Sequence, residues 1–295
     1  RHRRWFVRAS LGWCHAPSPL QFDDFLLATP DPAIADKVYT RIGELLQQPE
    51  EKDIPFVNEG LATEFNGVDV LQTRDYIKVS SESYIHRLLK THGWDTPVDD
   101  TSAPREPLPP DSYIALYNTD GPPEGSQEAA SLAAEFGYTY RGLLGELMFP
   151  YVTSRVDIGL AINVLSKFST APARIHYTSL KRVAKYLRRT ADWGLLYWRL
   201  PQTLLCPMSL LIPSRLIFTL LIFYHPTNIG LSDFFAVVDA SHANDLRNKR
   251  STTGYSFIMA GAAIAYRVRT QPIVATSSTE AEFFAAVHAG KVCQY

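Results

Sequence analysis

Cysteine, net charge and nucleotide-binding signatures are all scarce in this sequence, and each shortage closes a class of function. Cys14, Cys206 and Cys293 are the only three cysteines in 295 residues. So widely spaced, they build neither a disulfide framework nor a thiolate zinc site, and they fit a reducing compartment. Lys and Arg number 29 against 30 Asp and Glu, for a net charge of -1. A globally basic nucleic-acid binder and an acidic tail protein are thereby excluded, and any grip on phosphate must come from local charge segregation. No G-x-G-x-x-G, P-loop or G-x-S-x-G occurs, so neither a small-molecule nucleotide cofactor nor a hydrolase triad has support. The histidines do not cluster at ligand spacing, apart from His242 near Asp239. No internal repeat is apparent.

Uninterrupted apolar runs are scarce as well. The most hydrophobic stretch, residues 203–224, contains Pro207, Pro213 and Arg215. A central Arg costs about 2.5–3.5 kcal/mol on insertion scales, so a membrane span is not expected. The basic start RHRRWFVRASLGWCHA has its apolar part cut by Arg8 after three residues, too short for a signal sequence. The expected location is intracellular, cytoplasmic or nuclear, and not secreted. The chain opens on Arg1 rather than Met, as a piece of a longer frame would.

What is present is enough apolar residue, 46% against 20% charged, to bury a core across two modest domains. Residues 20–95 alternate apolar runs (FLLA, FNGVDVL, YIKVS) with helix-like stretches at 31–46 and 83–92. Asp31-Pro32 supplies a helix N-cap followed by a first-turn proline. Seven prolines between 97 and 125 predict an extended connector without helix or central strand. Residues 136–198 read as helices and then a short strand, LLYW. The clearest helix, 173–189, has Leu180, Val183, Ala184 and Leu187 at i, i+3, i+4, i+7. From Phe234 the pattern turns to strands (FFAVVDA, TTGYSFIMAG, AAIAYRV, PIVATS), and Thr279 opens a last helix, giving a βββα unit. The fold class is α+β.

Three constellations could carry chemistry. Asp23-Asp24 in QFDDFLLA is either a divalent-metal site at a tight turn or a solvated turn. Asp239 ends an apolar strand, and Glu282 stands early on the last helix. Together they could ligate Mg²⁺, or Thr279-Glu280-Ala281-Glu282 is a capping box and Asp239 a strand-end turn residue. Lys167, Arg174, Lys181, Arg182, Lys185, Arg188 and Arg189 lie in a stretch from Ile158 to Ala191 without an acid. That stretch is a solvated helix face or a phosphate contact. Tyr177 and Tyr186 within it read as core before stacking platforms.

In their order these motifs resemble the C-terminal part of the Pol polyprotein of copia-type LTR retrotransposons. QFDDFLLA at 21–28 resembles the reverse-transcriptase YVDD box, and FNGVDVLQTRDYIKVSSESYIHRLLKTHGW at 65–94 the palm segment after it. YRGLLGELMFPYVTSRVDIGLAINVLSKF at 140–168 and the basic helix resemble the thumb and connection. VVDASHANDLRNKRSTTGYSFIMAGAAIAYRVRTQPIVATSSTEAEFFAA at 237–286 is similar to the first half of the family's ribonuclease H domain. The resemblance implies a non-matching segment at 1–20, a partial palm at 21–96, the connector at 97–135 and a helical thumb/connection at 136–200. An atypical apolar insertion at 201–232 and a truncated ribonuclease H-like unit at 233–295 complete the chain. It also implies that Asp23 and Asp24 are polymerase carboxylates and that Asp239 and Glu282 begin the ribonuclease H site, each pair holding Mg²⁺. The seven cations would grip primer–template or RNA–DNA hybrid. The family is an RNA-directed DNA polymerase and hybrid nuclease. Its further metal-binding aspartates have no counterpart here, and Pro17 and Pro19 would spoil a palm strand within 1–20. The expectation is therefore a catalytically inactive fragment, or a nucleic-acid-binding module built on 167–189, or a chain completed by a separate polymerase fragment.

Overall fold

A computed structural model describes residues 5–11, 24–29, 32–46, 56–96, 103–199 and 234–294. Strands β1 (Trp5–Leu11) and β2 (Asp24–Thr29), helix α1 (Pro32–Leu46) and strand β3 (Phe56–Leu61) form the first group. The sheet order is β2-β1-β3, with both pairings antiparallel. α1 begins at the proline whose fixed φ suits a first helical turn. It buries Ala35 and Tyr39 against Leu27 and Ile42. Residues 1–20 resemble no palm strand in sequence, and within them Trp5–Leu11 forms the central strand of this sheet. Trp5–Leu11 ends upstream of Pro17 and Pro19, so neither proline interrupts its ladder.

Strands β4 (Glu64–Phe65), β5 (Val68–Gln72) and β6 (Tyr76–Ser80) follow, then α2 (Glu82–Thr91). Asn66 and Gly67 both take positive φ, 51° and 76°, and make the tight turn between β4 and β5. Next come α3 (Ser112–Asn118), α4 (Gln127–Phe136), α5 (Tyr140–Thr153), a 3-10 turn at Val156–Ile158, α6 (Gly159–Ser166) and α7 (Arg174–Arg189). Strand β7 (Gly194–Trp198) then returns to pair antiparallel with β6, closing the sheet β4-β5-β6-β7. Helices α3 and α4 correct the helix-free connector: the stretch between Pro110 and Pro122 is proline-free and long enough for α3, and α4 follows Pro123 with Ser126 as its N-cap.

The main core lies among these helices. Leu180, Val183, Ala184 and Leu187 of α7 are all essentially inaccessible and pack with Ile85, Leu89, Leu116, Leu143, Leu147 and Leu165. Pro150 sits inside α5 and cannot donate to the Glu146 carbonyl four residues back. The Tyr84 hydroxyl of α2 donates to that carbonyl instead, at 3.0 Å. The proline thus becomes a docking point between two helices.

The last group is β8 (Phe235–Ser241), β9 (Thr252–Met259), β10 (Ala262–Thr270) and α8 (Ser278–Val292). The antiparallel order is β10-β9-β8, with a turn at Ala260 and Gly261, both of positive φ. The expected strand–strand–strand–helix succession is observed, except that PIVATS at 272–277 contains no strand. Its Pro272 lacks a ladder donor, and the segment instead crosses over to α8. α8 lays the small residues Ala281, Ala285 and Ala289 toward the sheet. Two features fasten this unit to the helical body. The Tyr266 hydroxyl donates to the Tyr151 carbonyl at 2.6 Å, while the Tyr151 hydroxyl accepts from the Val268 amide at 2.9 Å. The loop after β8 is tied by Lys167 to Asp245 at 2.9 Å and by Arg247 to Asp120 at 2.7 Å. Among the described residues no helix is long and apolar enough to cross a membrane. Residues 203–224 and the rest of the atypical insertion lie outside the described residues.

Candidate metal centre

Asp239 is near the end of β8, half-buried, and opposite Gly254 of β9. Glu282 stands on the second turn of α8, also half-buried. Burial pushes the Asp239 carboxyl above the ordinary carboxylate range, against the pull of the Ala240 amide. Burial does the same to Glu282, the Asp239 charge adds to it, and the same Ala240 amide opposes both. The two carboxylates are thus close enough that the Asp239 charge disfavours ionising Glu282.

The capping alternative for Glu282 does not hold. α8 starts two residues earlier than Thr279 would place its cap. The Ser277 hydroxyl accepts from the Glu280 amide at 3.1 Å. The Glu280 carboxylate accepts from the Thr276 amide and hydroxyl, both at 2.6 Å. Glu280 therefore does the capping, and Glu282, two positions on, is left to face Asp239.

The donor set fits a hard divalent cation held in part. Mg²⁺ commonly takes one or two carboxylates and fills its octahedron with water and substrate oxygens. Burial raises both carboxyls, and the Asp239 charge further raises Glu282; a cation between two such groups would offset both effects. Among the described residues no group of three His, Cys, Asp or Glu side chains stands together. Of the other predicted pair, Asp24 is the first residue of β2, opposite Ser10, and Asp23 lies outside the described residues.

The seven cations largely serve the protein itself. Lys167 donates to the Tyr117 hydroxyl as well as to Asp245. Arg174 makes a two-pronged pair with Glu135. Lys181 lies 5.0 Å from the centre of the Trp94 ring. Arg188 donates to the Trp94 and Thr96 carbonyls at 3.0 and 3.1 Å, and Arg189 to Ala103 at 3.5 Å. The Arg182 Nε is buried without a partner, and Lys185 is exposed. Tyr177 and Tyr186 are core residues. We expect Lys181→Glu plus Arg188→Glu to cost about 1–2 kcal/mol of stability by losing a cation–π contact and two carbonyl bonds. A thermal melt checks this; an unchanged midpoint would mean that these contacts hold nothing together.

Sequence reasoning missed Gln271, which is 1% exposed and donates to Thr253 and to the Ala281 carbonyl just before Glu282. A glutamine in an otherwise alternating β pattern gave no signal of its own. It likewise missed Asp245, whose partner Lys167 is 78 residues away.

No family model and no solved structure matches the chain. It is 28% identical, over 92% of its length, to the retrovirus-related Pol polyprotein from transposon TNT 1-94 of Nicotiana tabacum. It is 23% identical, again over 92% of its length, to the retrovirus-related Pol polyprotein from transposon RE1 of Arabidopsis thaliana. The chain spans only 17% and 15% of those two polyproteins. Over half its length it is 31% identical to the secreted RxLR effector protein 161 of Plasmopara viticola, covering 82% of that protein.

Proposed function

The chain belongs to the Pol polyproteins of copia-type LTR retrotransposons, and from that premise we propose that residues 234–294 are a ribonuclease H-like unit whose Asp239 and Glu282 hold a divalent cation. The upstream elements, from β1 to β7, are then the end of a reverse-transcriptase palm with its thumb and connection. The observation that carries the proposal is the pairing of Asp239, on the first strand of the βββα unit, with Glu282, released from capping by Glu280. When bound, Mg²⁺ supplies Lewis-acid stabilisation of a phosphodiester's developing charge. Asp239 and Glu282 would hold the cation and would present it to a phosphate.

Two-metal phosphoryl chemistry needs both ions clamped, and two carboxylates clamp one. Among the described residues only these two carboxylates are paired here, and the proposed reading is a site that binds one cation without turnover. A cleavage assay with a labelled RNA–DNA hybrid and Mg²⁺ should leave the hybrid intact. Turnover that disappears in Asp239→Asn would overturn the inactivity and establish this centre as catalytic.

A further inference from the structure

The carboxylates of Asp239 and Glu282 sit on different elements, so something must fix the separation between β8 and the start of α8. Gln271, in the crossover after β10, makes contacts on both sides. Its Nε2 donates to the Thr253 hydroxyl and to the Ala281 carbonyl, each at 2.9 Å. Thr253 is the cross-strand partner of Ala240, the residue that follows Asp239, and Ala281 is the residue just before Glu282. The Gln271 backbone amide donates to the Ser251 carbonyl at 2.8 Å. The Ser251 hydroxyl in turn accepts from Ala243, just past Asp239 in the chain, at 3.1 Å. One fully buried side chain thus joins the strand beside Asp239 to the helix peptide that carries Glu282.

The chemistry of the amide matters more than its bulk. Gln271 Oε1 is buried with no hydrogen-bond partner. Burying an unsatisfied oxygen costs about 1–3 kcal/mol, which an apolar residue of the same shape would avoid. The NH₂ end is what the site uses, and its orientation is unambiguous, since turning the amide over would set Oε1 against the Ala281 carbonyl.

We infer that Gln271 is a positioning residue that sets the Asp239–Glu282 separation and, through it, the affinity of this centre for a divalent cation. The inference rests on the metal-site reading proposed above. Removing the partner of a metal ligand typically lowers metal affinity about 10–100-fold.

Mn²⁺ titration of the whole chain, followed by electron paramagnetic resonance, tests it in four variants. Gln271→Met keeps the shape and should weaken Mn²⁺ binding about tenfold. Phe257→Leu loosens the packing between β9 and α8 without touching the clamp; it should lower the melting temperature and leave Mn²⁺ affinity unchanged. If Gln271→Met does not fold, Thr253→Val removes one clamp contact and should weaken binding in the same direction by less. Asp239→Asn should abolish it. Wild-type affinity in Gln271→Met, or in Thr253→Val, alongside loss in Asp239→Asn would overturn the positioning role and spare the site. Equal weakening in Phe257→Leu would reduce Gln271 to general stability and overturn it too. Wild-type binding in Asp239→Asn would overturn the site and the inference together.

Discussion

Arg155→Ala should destabilise the helical body by about 3 kcal/mol, as expected when a buried guanidinium bonded to an exposed carboxylate and to two groups of Thr190 is lost. Arg155 is 1% exposed and, among the described residues, the bulkiest of the fully buried side chains. Its Nε and Nη2 donate to the two carboxylate oxygens of Asp157 at 2.9 and 2.7 Å. Nη1 and Nη2 also reach the Thr190 carbonyl and hydroxyl at 2.8 and 2.6 Å. One guanidinium therefore ties the turn between α5 and α6 to the end of α7. The Tyr186 hydroxyl donates to Asp157 at 2.7 Å. Burial first, then the Asp157 charge, push that phenol far up, so it stays a donor across the ordinary pH range. Without Arg155 the Asp157 carboxylate and the Thr190 carbonyl lose their main partner together. Arg155→Lys should recover little, because an ammonium cannot form the planar fork. Urea unfolding followed by circular dichroism reads the effect. A loss under about 1 kcal/mol, the size of an ordinary substitution, would show that this network does not hold the helices.

Lys167→Met should act on the junction with the C-terminal unit at comparable size. Lys167 and Asp245 are 17% and 4% exposed, and removing the ammonium leaves a buried carboxylate with amide donors alone. The expected loss is up to about 3–5 kcal/mol. Burial pushes Asp245 up, but the Lys167 bond and charge with the Asn248 and Arg247 amides outweigh it and hold the carboxyl below its ordinary value. A depressed folded pKa stabilises the protein above the unfolded value, about 3.9, and the contribution is lost as pH falls through the folded value. Lys167→Met removes the lowering partner and the stability that it supplies above that window, so the gap in stability between wild type and variant should narrow as pH falls through the folded value. A gap that stays constant with pH would contradict the role given to this pair.

Much of the fold was legible in the sequence, because period and punctuation are local. The α7 face appeared as Leu180, Val183, Ala184 and Leu187, and the βββα order as apolar runs followed by a capped helix. What misled was averaging and overlap. Proline density across 97–125 concealed the proline-free window that α3 occupies. Pro17 and Pro19 counted against a strand that ends before them. Around α8, Ser277-x-x-Glu280 and Thr279-x-x-Glu282 fit the same capping pattern two residues apart, and only the backbone decides between them. The cations of α7 showed their sign but not their partners, since the carbonyls of Trp94, Thr96 and Ala103 carry no signature in sequence. Gln271 was illegible for the same reason: its bonds join residues that only the folded sheet brings together.

The central claim is that Asp239 and Glu282 form one cation site on the C-terminal unit. Mn²⁺ titration of the wild-type chain beside Asp239→Asn and Glu282→Gln tests it most directly. The account predicts a saturable Mn²⁺ site in the wild type that is lost in each variant, with the fold intact by circular dichroism. Undiminished Mn²⁺ binding in either variant, or none in the wild type, would contradict it.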